Sequence, residues 1–183
     1  MRSVAIALVI WCTSLTAAAA EFRLSSVDIA PGGTIANKFV YKGFGCAGEN
    51  VSPSLSWSGA PAGTKSFALL VHDADAPTGG SGWWHWLVYN IPASATKIVQ
   101  GAGTADGAGL PAGSVQGRTD FGTPGWGGPC PPVGHGQHHY RFTLYALKVE
   151  KLPAPEGATA ALIGYVVNDN SLAAARLLGR YGR

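Results

Sequence analysis

His138-His-Tyr-Arg-Phe-Thr-Leu-Tyr-Ala146 alternates between two kinds of side chain. His138, Tyr140, Phe142, Leu144 and Ala146 share one face, and His139, Arg141, Thr143 and Tyr145 share the other. A period of two is strand geometry. The first face suits a core and the second a partly wet surface. His138 and Tyr140 therefore stand together at one end of a strand, above a hydrophobic floor. Ser66-Phe-Ala-Leu-Leu-Val71 is apolar on both faces, the mark of a strand inside a sheet covered on both sides.

Around these two segments the chain is punctuated by turns. Its 183 residues include 26 glycines and 12 prolines, gathered between apolar stretches as in an all-β protein. Strands are predicted over Arg23–Ile29, Leu55–Trp57, Ser66–Asp73, His85–Ile91 and His138–Leu147, with short ones near Lys38–Tyr41 and Ser114–Gln116. Thr78–Gly82, Gly101–Gly113 and Gly122–Gly136 are glycine-rich loops. Ala158–Val167 and Ser171–Leu178 carry alanine and leucine with little β-branching. They read as one or two short C-terminal helices, the second following the Asn168-Asp169-Asn170 break. The expected fold is an antiparallel β-sandwich with those helices packed on it, in one domain over residues 21–183.

Residues 1–20 read as a secretory signal peptide: Arg2, an apolar run from Val4 to Ile10, and Ala18-Ala19-Ala20, with cleavage after Ala20. The run is too short for a stop-transfer helix. Trp11 before Cys12 suits lipoprotein processing poorly, so a soluble periplasmic or secreted protein is expected, without stable membrane insertion. Without Arg2, twelve basic residues face ten acidic ones, a net charge near +2 with no Lys/Arg cluster. That balance argues against nucleic acid as a partner. Cys46 and Cys130 remain after cleavage, an even pair in an oxidising compartment, and are expected to form a disulfide.

All five histidines fall in two windows. The first runs His72-Asp73-Ala74-Asp75-Ala76-Pro77, then Trp83-Trp84-His85-Trp86. The second runs Gly128-Pro129-Cys130-Pro131-Pro132, then His135-Gly136-Gln137-His138-His139-Tyr140. Imidazoles, carboxylates, a phenol and indoles can build a polar pocket with apolar walls. His72 reads as a strand-end residue, His135 as solvated, and His139 as facing away from the pocket.

These segments resemble the phosphatidylethanolamine-binding protein family, also called the Raf-kinase-inhibitor-protein family. The resemblance rests on Asp73-Ala-Asp-Ala-Pro77, His85-Trp-Leu-Val-Tyr-Asn-Ile-Pro92 and Gly128-Pro-Cys-Pro-Pro-Val-Gly134 followed by His138-His-Tyr140. Gly45-Cys46, Asn50-Val-Ser-Pro53 and Gly82-Trp-Trp-His-Trp86 are similar to its bacterial exported branch, the YbhB/YbcL type. The resemblance implies Greek-key connections and a small pocket for anionic groups such as phosphate and phosphorylethanolamine. Carried over by position, the ligand-binding residues are Asp73, Asp75, Pro77, Trp83, His85, Cys130, Pro131, His138 and Tyr140. Ala74 departs from the family's usual proline, His139 from the arginine and Cys130 from the glycine of eukaryotic members.

A phosphate-sized anion needs directed donors, which His85, His138, Tyr140 and loop N–H groups can supply, with the aspartates holding the imidazole tautomers. The leading reading is a binding protein with a small anionic ligand and no cofactor, kinase-inhibitor-like by family only. A phosphoester or lipid hydrolase using the pocket His, Asp and Tyr is the alternative, weakened because no nucleophile sits in a recognisable elbow. A metal site from two histidines and two aspartates ranks below it. A homodimer and a protein partner, in the envelope or toward a host, stay open.

Overall fold

The computed structural model describes residues 21–183; the leader read over Met1–Ala20, including Cys12, lies outside the described residues. In chain order the strands are β1 (Arg23–Ser25), β2 (Gly33–Thr34), β3 (Lys42–Gly43), β4 (Cys46–Ala47), β5 (Leu55–Ser58), β6 (Ser66–Asp73), β7 (Trp83–Pro92), β8 (Lys97–Ile98), β9 (Val115–Gln116), β10 (Gln137–Leu147) and β11 (Ser171–Gly182). The helix α1 (Ala160–Asp169) precedes the last strand. A six-stranded sheet has the order β2-β11-β10-β6-β7-β9, a three-stranded sheet the order β1-β5-β8, and β3-β4 form a small hairpin. All pairings are antiparallel except the short one between β2 and β11.

The apolar run of β6 follows from its place. It lies between β10 and β7, with packing on both faces. Phe67, Leu69 and Val71 meet Leu24, Leu55, Trp57 and Ile98 of the three-stranded sheet. Ala68 and Leu70 meet Ile163 and Val167 of α1. Each fully buried aliphatic side chain of this kind contributes roughly 1.5–3 kcal/mol. The alternation of β10 is realised too: Tyr140, Phe142, Leu144 and Ala146 are fully buried in the inter-sheet core. On its other face α1 covers the Tyr145 end and leaves Arg141 exposed.

Three predicted elements take other forms. The strand expected over Arg23–Ile29 ends at Ser25, because Ser26 Oγ accepts from the N–H groups of Asp28 and Ile29 and turns the chain. Lys38–Tyr41 is not a strand: Asn37–Phe39 form a single 3-10 turn that buries Phe39. The largest correction is Ser171–Leu178, which lies within strand β11 and not in a helix. It pairs with β10 from Gln137↔Gly182 to Leu147↔Ser171. Ala175 and Leu177 are buried beside Leu144 and Phe142 while Arg176 and Arg180 face water. Long pairing plus a buried face override the modest helix preference of alanine and leucine. The helix at Ala158–Val167 does form, as Ala160–Asp169, with Thr159 Oγ1 accepting from Leu162 N as the N-cap.

Candidate functional site

The C-terminal end of β6 is the centre of the site. Asp73 is in register with Tyr140 of β10 on one side and Trp83 of β7 on the other. Three adjacent strands thus place a phenol, a carboxylate and an indole in one row. His138 stands two residues before Tyr140 on the same buried face. His85 arrives by a different device. Val71 and His72 pair with Trp86 and Trp84, so His85 is the extra residue of a β-bulge in β7. Bulges redirect a side chain out of simple alternation. Here the His85 ring packs edge-on to Tyr140, with centroids 5.1 Å apart.

The other wall comes from the loop before β10. Cys46 of the β3-β4 hairpin and Cys130 form the expected disulfide, with Cα atoms 5.9 Å apart. Gly128 permits the close approach of this loop to the preceding chain: a Cβ there would meet Phe39 O at 2.1 Å. The Gly128 N–H donates to Asn50 Oδ1, and the Arg183 side chain donates to the carbonyls of Pro131 and Gly45. The loop is thereby tied to the hairpin and to the C-terminal end of the chain.

Between these walls lies a cavity of about 290 Å³. Of the nine residues carried over by position, Asp73, Pro77, Trp83, His85, Cys130, Pro131, His138 and Tyr140 line it. Asp75 does not. Its Oδ2 accepts from both the ring Nδ1 and the backbone N–H of His139, at 2.7 and 2.8 Å, on the half-exposed surface. Burial opposes the Asp75 charge, but these hydrogen bonds outweigh it and hold the carboxyl below its ordinary value. Phe44, Ala76, Thr78, Phe121 and Pro132 line the cavity as well. The aromatic ones carry no sequence signal, since Phe44 tips a hairpin and Phe121 sits in a glycine loop far from both histidine windows.

The polar groups fall into engaged and free sets. Asp73 and His138 form a buried pair, Oδ2 to Nδ1 at 2.6 Å, while Asp73 Oδ1 accepts from the Asp75 N–H. His138 Nε2 lies 2.8 Å from Nδ1 of His135. Both nitrogens of His138 are therefore engaged, and His135, though exposed, is a partner of the site and not merely solvated. His85 Nδ1 donates to the Gly127 carbonyl at 2.6 Å. Complete burial pushes this imidazole down to about 4, against the raising effects of the Gly127 bond and the Asp73 charge. His85 is thus neutral at physiological pH, and its Nε2 is an acceptor, not the donor the sequence suggested. Burial, reinforced by the Asp73 charge, pushes the Tyr140 phenol far above its ordinary value, so it keeps its proton. Tyr140 Oη, Trp83 Nε1 and His85 Nε2 are all buried without a protein partner. His72 instead packs against Trp84 and hydrogen-bonds Ser81 O, outside the cavity lining.

The geometry agrees with known proteins. A family model described as phosphatidylethanolamine-binding protein matches residues 25–182. The UPF0098 protein YbcL of Escherichia coli K12 is 49% identical over 181 residues, covering 99% of this chain and 98% of that one. YbhB of the same organism is 44% identical over 159 residues, 87% of this chain and 99% of that one. A Mycobacterium tuberculosis relative named as lipoprotein LppC is 44% identical over 75% of this chain and 63% of its own length. The crystal structure of E. coli YbcL, titled a new member of the mammalian PEBP family, superposes with a TM-score of 0.86 at 52% identity, covering 90% of this chain and 99% of that one. Fold, sequence and family model agree, and the chain belongs to the phosphatidylethanolamine-binding protein family.

Proposed function

We propose that this is an exported binding protein whose cavity takes a small anionic group of the phosphate class, such as phosphate or the phosphoryl end of phosphorylethanolamine. The carrying observation is that Tyr140 Oη and Trp83 Nε1 are buried donors without protein partners, on residues that line an otherwise largely apolar cavity. A buried polar group left unpaired costs about 1–3 kcal/mol. A ligand oxygen between two such donors offsets that cost, and the surrounding Phe44, Phe121, Trp83 and Pro77 strengthen each contact by lowering the local dielectric. Family membership supports a ligand-binding role.

Export is supported by the Cys46–Cys130 bridge, since disulfides persist in oxidising compartments, and by the relative named as a lipoprotein. No helix among the described residues is long and apolar enough to cross a membrane. Binding is favoured over hydrolysis because the Cys130 sulfur is held in the bridge, so it offers no thiolate. The Thr78 hydroxyl donates to the Gly82 carbonyl at 3.1 Å.

The test is calorimetric titration with phosphorylethanolamine. The wild type is expected to bind, and Tyr140→Phe to bind about tenfold more weakly, the worth of one lost hydrogen bond. Because the hydroxyl has no protein partner, the same variant is expected to melt at or above the wild-type temperature. Absence of binding, or turnover of a phosphoester that disappears with His85→Ala, overturns the reading.

A further inference from the structure

The free nitrogen of His85 has the wrong polarity for an ionised oxygen. A carbonyl only accepts, so the 2.6 Å contact with Gly127 O fixes the ring proton on Nδ1. Nε2 then carries a lone pair, buried and without a protein partner, on a residue that lines the cavity. Three residues that line the cavity thus carry a buried polar atom without a protein partner: two donors, Tyr140 Oη–H and Trp83 Nε1–H, and one acceptor, His85 Nε2. Among the described lining residues there is no lysine or arginine to swamp this pattern. A phosphate dianion or a sulfate ester satisfies the donors but sets oxygen lone pairs against Nε2. A phosphodiester does the same. A singly protonated phosphomonoester satisfies all three, because its P–OH can donate while its other oxygens accept.

Resting on the anion-binding reading, we propose that the cavity selects singly protonated phosphomonoesters, with His85 Nε2 accepting the P–OH hydrogen bond, over diesters, sulfate esters and the dianion. The shared chemistry is a phosphoryl group, and the acceptor favours a free phosphomonoester over an intact phospholipid, whose phosphate is a diester. The titratable groups around His85 are Asp73 and His72 from β6 and Tyr140 and His138 from β10. Asp73 favours a charged His85, but its carboxylate is already taken up by His138 Nδ1–H and Asp75 N–H. Complete burial wins, and Nε2 stays an acceptor above about pH 4.

The experiment is calorimetry of the mature protein with methyl phosphate, dimethyl phosphate and methyl sulfate between pH 5 and pH 8. Methyl phosphate is expected to bind with constant affinity below its second ionisation near pH 6 and to lose about tenfold per pH unit above it. At pH 5.5 the other two probes are expected to bind at least ~10-fold more weakly, as a site built around one hydrogen bond rejects analogues that cannot make it. His85→Gln, which brings an amide donor near the place of Nε2, is expected to narrow that difference. Should either analogue bind the wild type as tightly as methyl phosphate does, the selectivity proposal falls while anion binding stands. Should methyl phosphate fail to bind at every pH, both fall. The wild-type panel decides by itself, so the folding of the variant does not limit the test.

Discussion

His138 is one half of a hydrogen-bonded pair buried inside the molecule. It and Asp73 are almost wholly buried and 2.6 Å apart. Truncating one partner of such a pair leaves the other buried without it, at about 3–5 kcal/mol. His138→Ala is therefore expected to lower the urea-unfolding free energy by that amount. A loss under ~1 kcal/mol would mean that Asp73 finds another partner. His85 sets a pH dependence of its own. Its folded value of about 4 lies below the ordinary 6.5. Between those two values the unfolded chain binds more protons than the folded one, so stability rises with pH across that window. The stability at stake is roughly 3 kcal/mol, lost in full below pH 4 and fully regained above pH 6.5. In His85→Phe, denaturation midpoints followed from pH 4 to pH 7 are expected to show a shallower rise. An unchanged slope would assign the window to other groups.

Strand β11 shows where local preference yields to tertiary pairing. Gly179 sits opposite Tyr140, and a Cβ there would lie 2.8 Å from Ile35 Cδ1 and 3.2 Å from Ile29 Cγ2. Gly179→Val is expected to destabilise by about 1–3 kcal/mol through overpacking, read from thermal melting. A neutral or stabilising outcome would show that Ile35 moves aside freely. In the sequence, Ala173, Ala175 and Leu177 alternate with Ala174, Arg176 and Leu178, a pattern open to either period, and alanine-rich composition tips such a reading toward helix. What decided it was the partner β10, which lies about thirty residues earlier and is invisible to a local window. β6 and β10 were legible because burial on two faces, or on one, writes itself into consecutive side chains. The bulge at His85 was not legible, since Trp83-Trp84-His85-Trp86 gives no polarity alternation to interrupt. The histidine was found from its neighbours, but the polarity of its free nitrogen came only from the Gly127 carbonyl.

Taken whole, the molecule holds its cavity by joining two segments that are 84 residues apart in the chain, Cys46 and Cys130. Chain entropy alone assigns such a cross-link about 4–5 kcal/mol. The double variant Cys46→Ser, Cys130→Ser is expected to lose up to that much in urea unfolding, with weaker ligand binding as the Pro131 wall loosens. Full stability after the change would remove the bridge from the account of the site. The convergence of the two histidine windows was legible in outline, because eight residues named from the sequence line one cavity. Asp75 escaped that outline because strand alternation turns His139 to the outer surface and takes Asp75 with it. The most direct test of the cavity as the binding site is a crystal structure of the protein grown with phosphorylethanolamine. The phosphoryl group is expected between His85 and Tyr140, one oxygen within hydrogen-bond distance of Tyr140 Oη. Phosphoryl density elsewhere on the surface, with the cavity closed over by Phe44 or holding only water, would contradict it.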